Sequence, residues 1–307
     1  MKILVVGAGA VGGYFGGRLI ENGVDVTFLV RERRKQQLEN TGLRIESVHG
    51  DIEVTPQTIV AGDHAGPFDV ILVSTKAYQL EAVLEDLSPF VGDNTMILPL
   101  LNGIAHIDIL RNKFGANHVI GGLCFVEATL DETGKILQKS AIHDLVFGEF
   151  SGDRTDRINV LEETFKGAKA GFRLSENILQ DMWHKYIFIT TLSGVTTLTR
   201  SPIGPIREAS GGMSLLRGFI KEVVSIAKRL EAPVSPSVDK ETLEKLKQVG
   251  YDMKSSMQRD MEKGFPVEAD HLQGYFYEKA VRGEMTSPLL ETIYTNLKVY
   301  EIDHLKK

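Results

Sequence analysis

The stretch Ile3-Leu4-Val5-Val6-Gly7-Ala8-Gly9-Ala10-Val11-Gly12 decides the fold of this chain. Its first four residues are apolar and predict a short buried strand, and the residues from Val11 onward place apolar side chains at helical spacing. The glycines between these elements follow the pattern G-x-G-x-x-G. A strand, this glycine turn and a helix, in that order, are the context that a dinucleotide-binding site requires.

Each glycine in this turn has a physical reason. Gly7 permits the tight turn out of the strand, Gly9 lacks the Cβ that would block a pyrophosphate, and Gly12 lets helix and strand pack closely. The helix N-terminus then offers its unpaired N–H groups to phosphate. A glycine-rich turn without a ligand is the alternative, but the flanking strand and helix favour dinucleotide binding. The predicted cofactor contacts are Gly7, Ala8, Gly9, Ala10, Val11 and Gly12.

Outward from this turn, the first half of the chain alternates between strand-like and helix-like segments. Continuous apolar runs at 24–30, 68–74 and 95–100 are typical of parallel strands buried on both faces, and 78–90 is predicted as a crossover helix. This alternation predicts a parallel sheet covered by helices. Short β-rich pieces joined by glycine turns follow at 118–150, and we expect them to add antiparallel strands to the same sheet.

The second half of the chain changes character and is predicted to be almost entirely helical. A long mixed segment at 176–199 precedes an amphipathic one at 206–230. We therefore predict two domains. Residues 1–172 form an α/β Rossmann domain that binds NADP, and residues 173–307 form an all-α domain that holds the substrate and the catalytic groups.

Composition excludes several other classes of protein. The chain of 307 residues has one cysteine, Cys124, so neither an intrachain disulfide nor a Cys₄ zinc site can form, and a reducing cytoplasm is the expected location. A net charge of −6 argues against non-specific nucleic-acid binding. No apolar run approaches the roughly 20 residues of a membrane span. The histidines show no metal-binding pattern, so we predict no bound metal. From the charge and the apolar runs we also predict that neither a nucleic acid nor a membrane is a partner.

The end of the second predicted strand indicates which dinucleotide is bound. NAD-specific sites place an acidic residue there to bond the ribose 2′-hydroxyl, whereas this chain has Arg31. An arginine can hold a 2′-phosphate with two hydrogen bonds, so we predict NADPH. Two alternatives stay open: Glu32 could contact the ribose, or residues 31–35 could be a solvated charged loop.

Several further motifs appear in a specific order. They are GAGAVG at 7–12, Arg31, STKAYQ at 74–79, LLNG at 100–103, WHK at 183–185, SSMQRD at 255–260 and Glu268. Together they resemble the ketopantoate reductase (2-dehydropantoate 2-reductase) family over nearly the whole chain. The resemblance implies a Rossmann domain, a helical domain of the 6-phosphogluconate-dehydrogenase type, and an active site in the cleft between them. It also implies NADPH-dependent reduction of 2-dehydropantoate to (R)-pantoate, a step of pantothenate and coenzyme A synthesis.

The same resemblance assigns roles to individual residues. Lys185 matches the family's catalytic lysine, Glu268 its active-site glutamate and Ser256 its substrate-binding serine. Lys76 and Asn102 match residues beside the nicotinamide ribose, and Asn102 also faces the substrate. The oligomeric state is not fixed by these motifs, and a homodimer is the expected assembly.

The match is uneven along the lysine-bearing segment. Members that make pantoate have two asparagines where this chain has Ile189 and Ser193, and an isoleucine where it has Ala269. Ile189 and Ser193 are therefore predicted to line a partly apolar substrate pocket. The predicted substrate contacts are Asn102, Lys185, Ile189, Ser193, Ser256 and Glu268.

The chemistry of these residues can also be read without the family. A ketone that accepts hydride develops negative charge on its oxygen, so its site needs a cation and a proton source. Lys185 lies in the apolar stretch WHKYIFI and could supply both, or it could reach solvent from a helix end. Glu268 begins a predicted helix, where the helix dipole favours the ionised carboxylate, and it could equally be an ordinary helix-start residue. Trp183 is interpreted as a core residue and His184 as a surface residue.

Three functions are compatible with this pattern. The first is reduction of 2-dehydropantoate, and the second is the same reduction of another 2-oxo acid, suggested by Ile189 and Ser193. The third is a non-catalytic NADP-binding sensor. A sensor would need only the glycine turn and Arg31, so the joint presence of Lys185 and Glu268 favours an enzyme.

Overall fold

The computed structural model of the chain describes residues 1–305. The strands are β1 (Lys2–Val6), β2 (Asp25–Leu29), β3 (Leu43–Ser47), β4 (Ile52–Val54), β5 (Gln57–Ile59), β6 (Val70–Val73), β7 (Met96–Pro99), β8 (Gly121–Leu130), β9 (Ile136–Gly148) and β10 (Gly171–Leu174). The α-helices are α1 (Ala10–Glu21), α2 (Glu32–Thr41), α3 (Leu80–Leu87), α4 (Ala105–Phe114), α5 (Asp156–Phe165), α6 (Ile178–Thr199), α7 (Ile203–Glu208), α8 (Gly212–Arg229), α9 (Val238–Gln248), α10 (Ser256–Glu262), α11 (Tyr275–Arg282) and α12 (Pro288–Leu305). A π-helical turn at Asp270–Gly274, called the π-turn below, leads into α11.

Contacts between residues group the chain into two compact units. The first contains Met1–Leu101 and His106–Ile178, and the second contains Asn102–Ala105 and the chain from Leu179 onward. The sequence placed the division between residues 172 and 173. The first unit continues past that point because β10 pairs with β9 and because the Ser175 N–H donates to the Phe147 carbonyl oxygen at 2.8 Å.

The first unit is built on a five-stranded parallel sheet in the order β5-β2-β1-β6-β7. In the central strand, Val6 lies opposite Leu29 of β2 and Val73 of β6. The apolar residues of β1, β2, β6 and β7 are buried because both faces of the sheet are covered there, as continuous apolar runs predict. The observed sheet confirms the predicted Rossmann-type α/β domain and brings the carboxyl ends of β1, β2 and β6 to one edge.

Apart from an isolated parallel bridge between Val119 and Ile97, the segment 118–150 does not extend this sheet, so that part of the prediction is wrong. It forms the antiparallel pair β8–β9, in which Gly121 lies opposite Gly148 and Leu130 opposite Ile136. These strands belong to a second sheet, ordered β10-β9-β3-β4, with β8 on β9. The physical reason is packing: the apolar side chains of β3 and β9 cover the side of α1 that faces away from the first sheet.

Helix α1 makes unusually close contacts with both sheets. A Cβ at Gly16 would lie 2.6 Å from the ring of Phe28 in β2. On the opposite side, a Cβ at Gly13 would lie 2.5 Å from Cδ1 of Ile136 in β9. Glycines on two sides of one helix therefore let its backbone pack directly against two layers of side chains.

The second unit surrounds helix α6, which is 22 residues long. Thr191, Thr196 and Thr197 are fully buried and donate their hydroxyls to carbonyl oxygens of the preceding turn. A helix buried on all sides shows no amphipathic stripe, which explains the mixed sequence pattern of this segment. The observed bundle confirms the predicted all-α second half. Within residues 1–305, no helix has both the length and the apolar character needed to cross a bilayer.

A pair of stacked histidines joins β9 to the turn after β3. The rings of His49 and His143 are parallel, with centroids 3.6 Å apart. The Nδ1 atom of His143 lies 2.7 Å from the Tyr14 hydroxyl. Burial, reinforced by His49 and Arg18 and opposed by Asp144, lowers the pKa of His143 below its ordinary value of 6.5. The folded protein therefore favours the neutral ring.

This stack predicts a loss of stability in mild acid. As the pH falls below about 6.5, the unfolded chain binds a proton at residue 143 more readily than the folded chain, so the free energy of unfolding decreases. We expect His143→Phe, which keeps an aromatic ring against His49, to reduce the fall in Tm between about pH 8 and pH 5. Thermal unfolding across this range measures the effect. His118→Asn is the control, because that ring contacts the Thr95 carbonyl oxygen instead, and equal slopes for all three proteins would contradict the prediction.

Candidate active site

The glycine turn follows β1 at the sheet edge, where the sequence placed it. Gly7 has a φ of +89° and donates its N–H to the Leu29 carbonyl oxygen at 3.0 Å. The Ser74 hydroxyl, at the end of β6, donates to the carbonyl oxygen of Val6 at 2.8 Å. A Cβ at Gly12 would lie 2.3 Å from the Gly7 carbonyl oxygen and 2.0 Å from Ser74 Oγ. The turn is therefore tightly packed, and Gly12 has no room for any side chain.

Gly9 has the opposite environment. It precedes the first residue of α1, and a Cβ placed on it would meet no atom within 4 Å. Its φ of −82° is accessible to any residue. The glycine is therefore not required by the fold itself. Open space over a helix N-terminus, beside N–H groups that have no intrahelical acceptor, is the geometry that accommodates a pyrophosphate.

The basic cluster after β2 divides into two kinds of residue. Arg34 is held by the protein, because its guanidinium donates to the Gly134 carbonyl oxygen at 3.2 Å and to Gln37 at 2.7 Å. Arg31 precedes α2 and is exposed, and its guanidinium forms no hydrogen bond or ion pair with another residue in 1–305. Arg31 is thus available to an anionic ligand, whereas Arg34 has a structural role.

Lys76 also stands at this edge of the first sheet. It follows β6 by three residues, is half-buried, and its carbonyl oxygen accepts the Gln79 N–H at 2.9 Å. The first unit thus places the glycine turn, Arg31 and Lys76 after three strands whose carboxyl ends share an edge.

In the second unit, Lys185 lies on α6 and only 6% of its surface is exposed. Trp183 is buried as predicted, with its ring centroid 5.9 Å from that of Tyr186. A lysine is seldom buried to this degree without a specific role. The alternative interpretation, a lysine that reaches solvent from a helix end, does not describe this side chain.

Glu268 stands at the entrance to the π-turn. Its carbonyl oxygen accepts the Leu272 N–H at 3.1 Å, and its side chain is half-buried. Burial lowers the pKa of His271, and the Glu268 carboxylate opposes this effect.

The loop Asn102–Ala105 packs against the same turn. Gly103 has a φ of +81°, and a Cβ on it would lie 3.1 Å from the His271 carbonyl oxygen and 3.4 Å from Cδ2 of Leu272. From α6, the Tyr186 hydroxyl donates to the Leu272 carbonyl oxygen at 2.6 Å. The second unit therefore brings together the segments that carry Asn102, Lys185 and Glu268.

Two sequence profiles of one family cover this chain. The profile described as "Ketopantoate reductase PanE/ApbA" matches residues 3–152, and the one described as "Ketopantoate reductase PanE/ApbA C terminal" matches residues 177–301. The chain belongs to the ketopantoate reductase family.

Individual relatives agree with this family assignment. YkpB of Bacillus subtilis (strain 168), an uncharacterized oxidoreductase, is 46% identical over 303 residues, which covers 99% of this chain and 100% of that protein. A crystal structure of 2-dehydropantoate 2-reductase from Geobacter metallireducens GS-15 is 28% identical with a TM-score of 0.88, covering 97% of this chain and 99% of that chain. D-Mandelate dehydrogenase, solved with NADH and anilino(oxo)acetate, is 21% identical with a TM-score of 0.89, covering 99% and 100%, and shares the fold. The chain is an oxidoreductase of the ketopantoate reductase family.

Three of the predicted substrate contacts have distinct environments. Ile189 is half-buried on α6. Ser193 is only 3% exposed, and its hydroxyl accepts a hydrogen bond of 2.7 Å from Gln273 Nε2. Ser256 is exposed at the start of α10, while its neighbour Ser255 is buried and lies 2.9 Å from the Thr196 hydroxyl. The hydroxyl of Ser193 is thus already engaged within the protein.

His184 is half-buried, so its interpretation as a surface residue is wrong. Its Nε2 atom accepts the Ser235 N–H at 3.0 Å, and Nδ1 lies 3.6 Å from the Glu241 carboxylate. Burial lowers the pKa of this histidine despite the nearby carboxylate. The ring has a structural role between α6 and the segment before α9.

Three residues of the site region were missed by the sequence analysis. Ser74 lay inside the quoted motif STKAYQ, and its place directly after a strand was the available signal. Tyr186 and Gln273 gave no signal, because their roles depend on the π-turn, which follows no sequence rule used above. Tyr186 contacts the π-turn, and Gln273 is part of it.

The two glycines of the turn give a matched test of cofactor binding. Gly12→Ala places a methyl group against backbone and should lower the free energy of unfolding by about 1–3 kcal/mol or more. Gly9→Ala meets open space, so it should fold with an unchanged Tm and yet weaken dinucleotide binding roughly tenfold or more, which is about 1.4 kcal/mol. Titration of NADPH against protein fluorescence, beside thermal unfolding, separates the two effects. Wild-type affinity in Gly9→Ala would show that no pyrophosphate lies over this residue.

Proposed function

We propose that this protein reduces 2-dehydropantoate to (R)-pantoate with NADPH. The observation that carries the proposal is the buried Lys185 on α6, in the unit where Asn102 and Glu268 also converge on the π-turn. Family membership supports the same reaction class. The first unit would bind the dinucleotide, and the second unit, which includes Asn102, would supply the substrate contacts. Location in the cytoplasm and assembly as a homodimer remain predictions.

The first unit fits a dinucleotide with a 2′-phosphate. Gly9 leaves space above the N-terminus of α1, and the Arg31 guanidinium has no hydrogen-bond or ion-pair partner within residues 1–305. The D-mandelate dehydrogenase of similar fold was solved with NADH, so the fold alone does not select the phosphate. The choice of NADPH rests on Arg31, since its position after β2 is the one that reads the 2′-substituent. A bound NADPH supplies the hydride.

The second unit would stabilise the negative charge that forms on the substrate oxygen and would supply the proton. As the carbonyl carbon of the 2-oxo acid accepts hydride, its oxygen becomes an alkoxide that needs a cation and a proton. The Lys185 ammonium would stabilise this oxygen and donate the proton, which leaves a hydroxyl group on the product. Water is largely excluded from the buried lysine, and this strengthens its electrostatic effect. Glu268 would orient the substrate hydroxyl and the lysine.

A different 2-oxo acid is the second candidate substrate. Ile189 offers no hydrogen bond, and the hydroxyl of Ser193 is paired with Gln273. Polar groups that could hold the hydroxyl of 2-dehydropantoate are therefore reduced on this face of α6. These two positions favour a bulkier or more apolar acid. A non-catalytic sensor is less well supported, because it does not explain a buried Lys185.

NADPH oxidation with a panel of 2-oxo acids, including 2-dehydropantoate, tests the reaction and the substrate together. Lys185→Ala should lower kcat for the preferred acid by roughly 10²–10⁴-fold, because it removes the proton donor and the charge that stabilises the alkoxide. NADPH binding should persist, since the glycine turn is unchanged.

The outcomes of this experiment are distinct. Binding of NADPH without turnover of any acid would favour the sensor. If Lys185→Ala keeps more than about a tenth of the wild-type kcat, the general acid is another group. The double variant with Glu268→Ala should lose less than the product of the two single losses, because both residues act on one reacting centre.

Cofactor selection has its own test. Arg31→Ala should raise the KM for NADPH by roughly one to two decades, an ion-pair loss of about 1.5–3 kcal/mol, and leave NADH little affected. Steady-state kinetics with both cofactors measure the selectivity. Arg229→Ala removes the same charge from an exposed position on α8 and serves as the control. Equal losses with NADPH and NADH would remove Arg31 from the 2′-phosphate site.

A further inference from the structure

The segment after Glu268 has an irregular helical geometry. The Leu272 N–H bonds to the residue four positions back, Glu268, at 3.1 Å, whereas the Gly274 N–H reaches five positions back, to Ala269, at 2.8 Å. Such a π-turn contains one residue more than an α-helical turn and is energetically unfavourable without support. Relaxation to regular α-helix would shift the register by one residue, which rotates the preceding residue by about 100°. The direction of the Glu268 side chain therefore depends on this turn.

Two side chains bond the π-turn to α6, one from each of the two elements. Tyr186 reaches out from α6, and its hydroxyl donates to the Leu272 carbonyl oxygen at 2.6 Å. The phenol ring is fully buried and stacks on Phe276, with centroids 4.4 Å apart. Burial raises the pKa of Tyr186, so the hydroxyl keeps its proton and remains a donor.

Gln273 reaches in from the π-turn. Its Nε2 atom donates to the Ser193 hydroxyl at 2.7 Å and to the Thr190 carbonyl oxygen at 3.1 Å. The side chain is fully buried, and its Oε1 atom has no hydrogen-bond partner within residues 1–305. A buried amide with an unsatisfied oxygen is unfavourable unless other contacts compensate for it. Here the compensating contacts are the two hydrogen bonds that its nitrogen donates to α6.

We propose that Tyr186 and Gln273 are positioning residues that hold the π-turn on α6 and thereby set the placement of Glu268 relative to Lys185. The two contacts involve consecutive residues of the turn, Leu272 and Gln273. Together they fix the position of the π-turn along α6, the helix that carries the lysine, and its orientation relative to that helix. Ser193 then serves the site as the acceptor of this contact. The proposal rests on the proposed function, because it concerns the same lysine and glutamate.

The test compares Tyr186→Phe, which removes one oxygen and keeps the ring on Phe276, with Gln273→Met, which keeps the length of the side chain. Tyr294→Phe is the matched control. It also removes a phenol that bonds the π-turn, but from α12 and at the Asp270 side chain, with an oxygen–oxygen distance of 2.6 Å. Each positioning variant should lower kcat by about ten- to a hundredfold, as misplacement of reacting groups does. The Kd for NADPH and the kcat of Tyr294→Phe should stay within about twofold of wild type.

Thermal unfolding, measured beside kcat, distinguishes positioning from general destabilisation. A fall in Tm with kcat within twofold of wild type would overturn the proposal. Parallel loss of kcat and NADPH affinity in Tyr186→Phe and Gln273→Met would overturn it too.

A second readout does not require turnover. The rate at which acetic anhydride labels Lys185, followed by mass spectrometry across pH, reports the surroundings of that amine directly. The midpoint of this profile should shift in Tyr186→Phe and Gln273→Met and stay unchanged in Tyr294→Phe. If the wild type reduces no 2-oxo acid but the midpoint still shifts, the proposed function fails and the positioning role stands. An unshifted midpoint in both variants overturns the positioning role.

Discussion

The first unit depends on the close approach of one helix to its neighbours. Gly12 of α1 lies against the Gly7 carbonyl oxygen and the Ser74 hydroxyl, and Gly16 lies against the ring of Phe28. On its other side, Gly13 lies against Ile136. Packing at this distance leaves no space for a methyl group, so the position of α1 is fixed by sterics on both sides. Its N-terminus, the part of the helix that can face phosphate, is fixed with it.

In the second unit, buried hydrogen bonds define how α6 is placed against its neighbours. Along α6, hydroxyl groups at Thr190, Ser193 and Thr196 stand where an ordinary core helix would carry larger apolar side chains. Buried polar groups define geometry more narrowly than apolar packing does, because a hydrogen bond depends on both direction and distance. Ser193 meets Gln273, and Thr196 meets Ser255. Hydrogen bonds thus hold α6, the helix that carries Lys185, in place against two neighbouring segments.

The sequence predicted features whose cause is local and missed those whose cause lies elsewhere in the chain. The parallel sheet followed from continuous apolar runs, and the glycine turn followed from its spacing. The second sheet did not, because β9 pairs with β3, about ninety residues earlier, and no local pattern records such a partner. The glycine pairs at positions 12–13 and 16–17 were a sequence signal for the close contacts of α1, although only Gly12 was interpreted in this way. Lys185 and Glu268 came from the family resemblance, whereas Tyr186 and Gln273 required the geometry of the π-turn.

The short loop Asn102–Ala105 changes how this protein can be divided. It follows β7 in the chain, yet its contacts are with the second unit, where Gly103 lies against the backbone of His271. The second unit is therefore discontinuous, and a fragment that begins at Leu179 would lack four residues that cover its π-turn. Chimaeras made by joining the N-terminal half of one relative to the C-terminal half of another would pair this loop with a foreign turn. An exchange of the second unit between relatives must transplant the loop together with the helices.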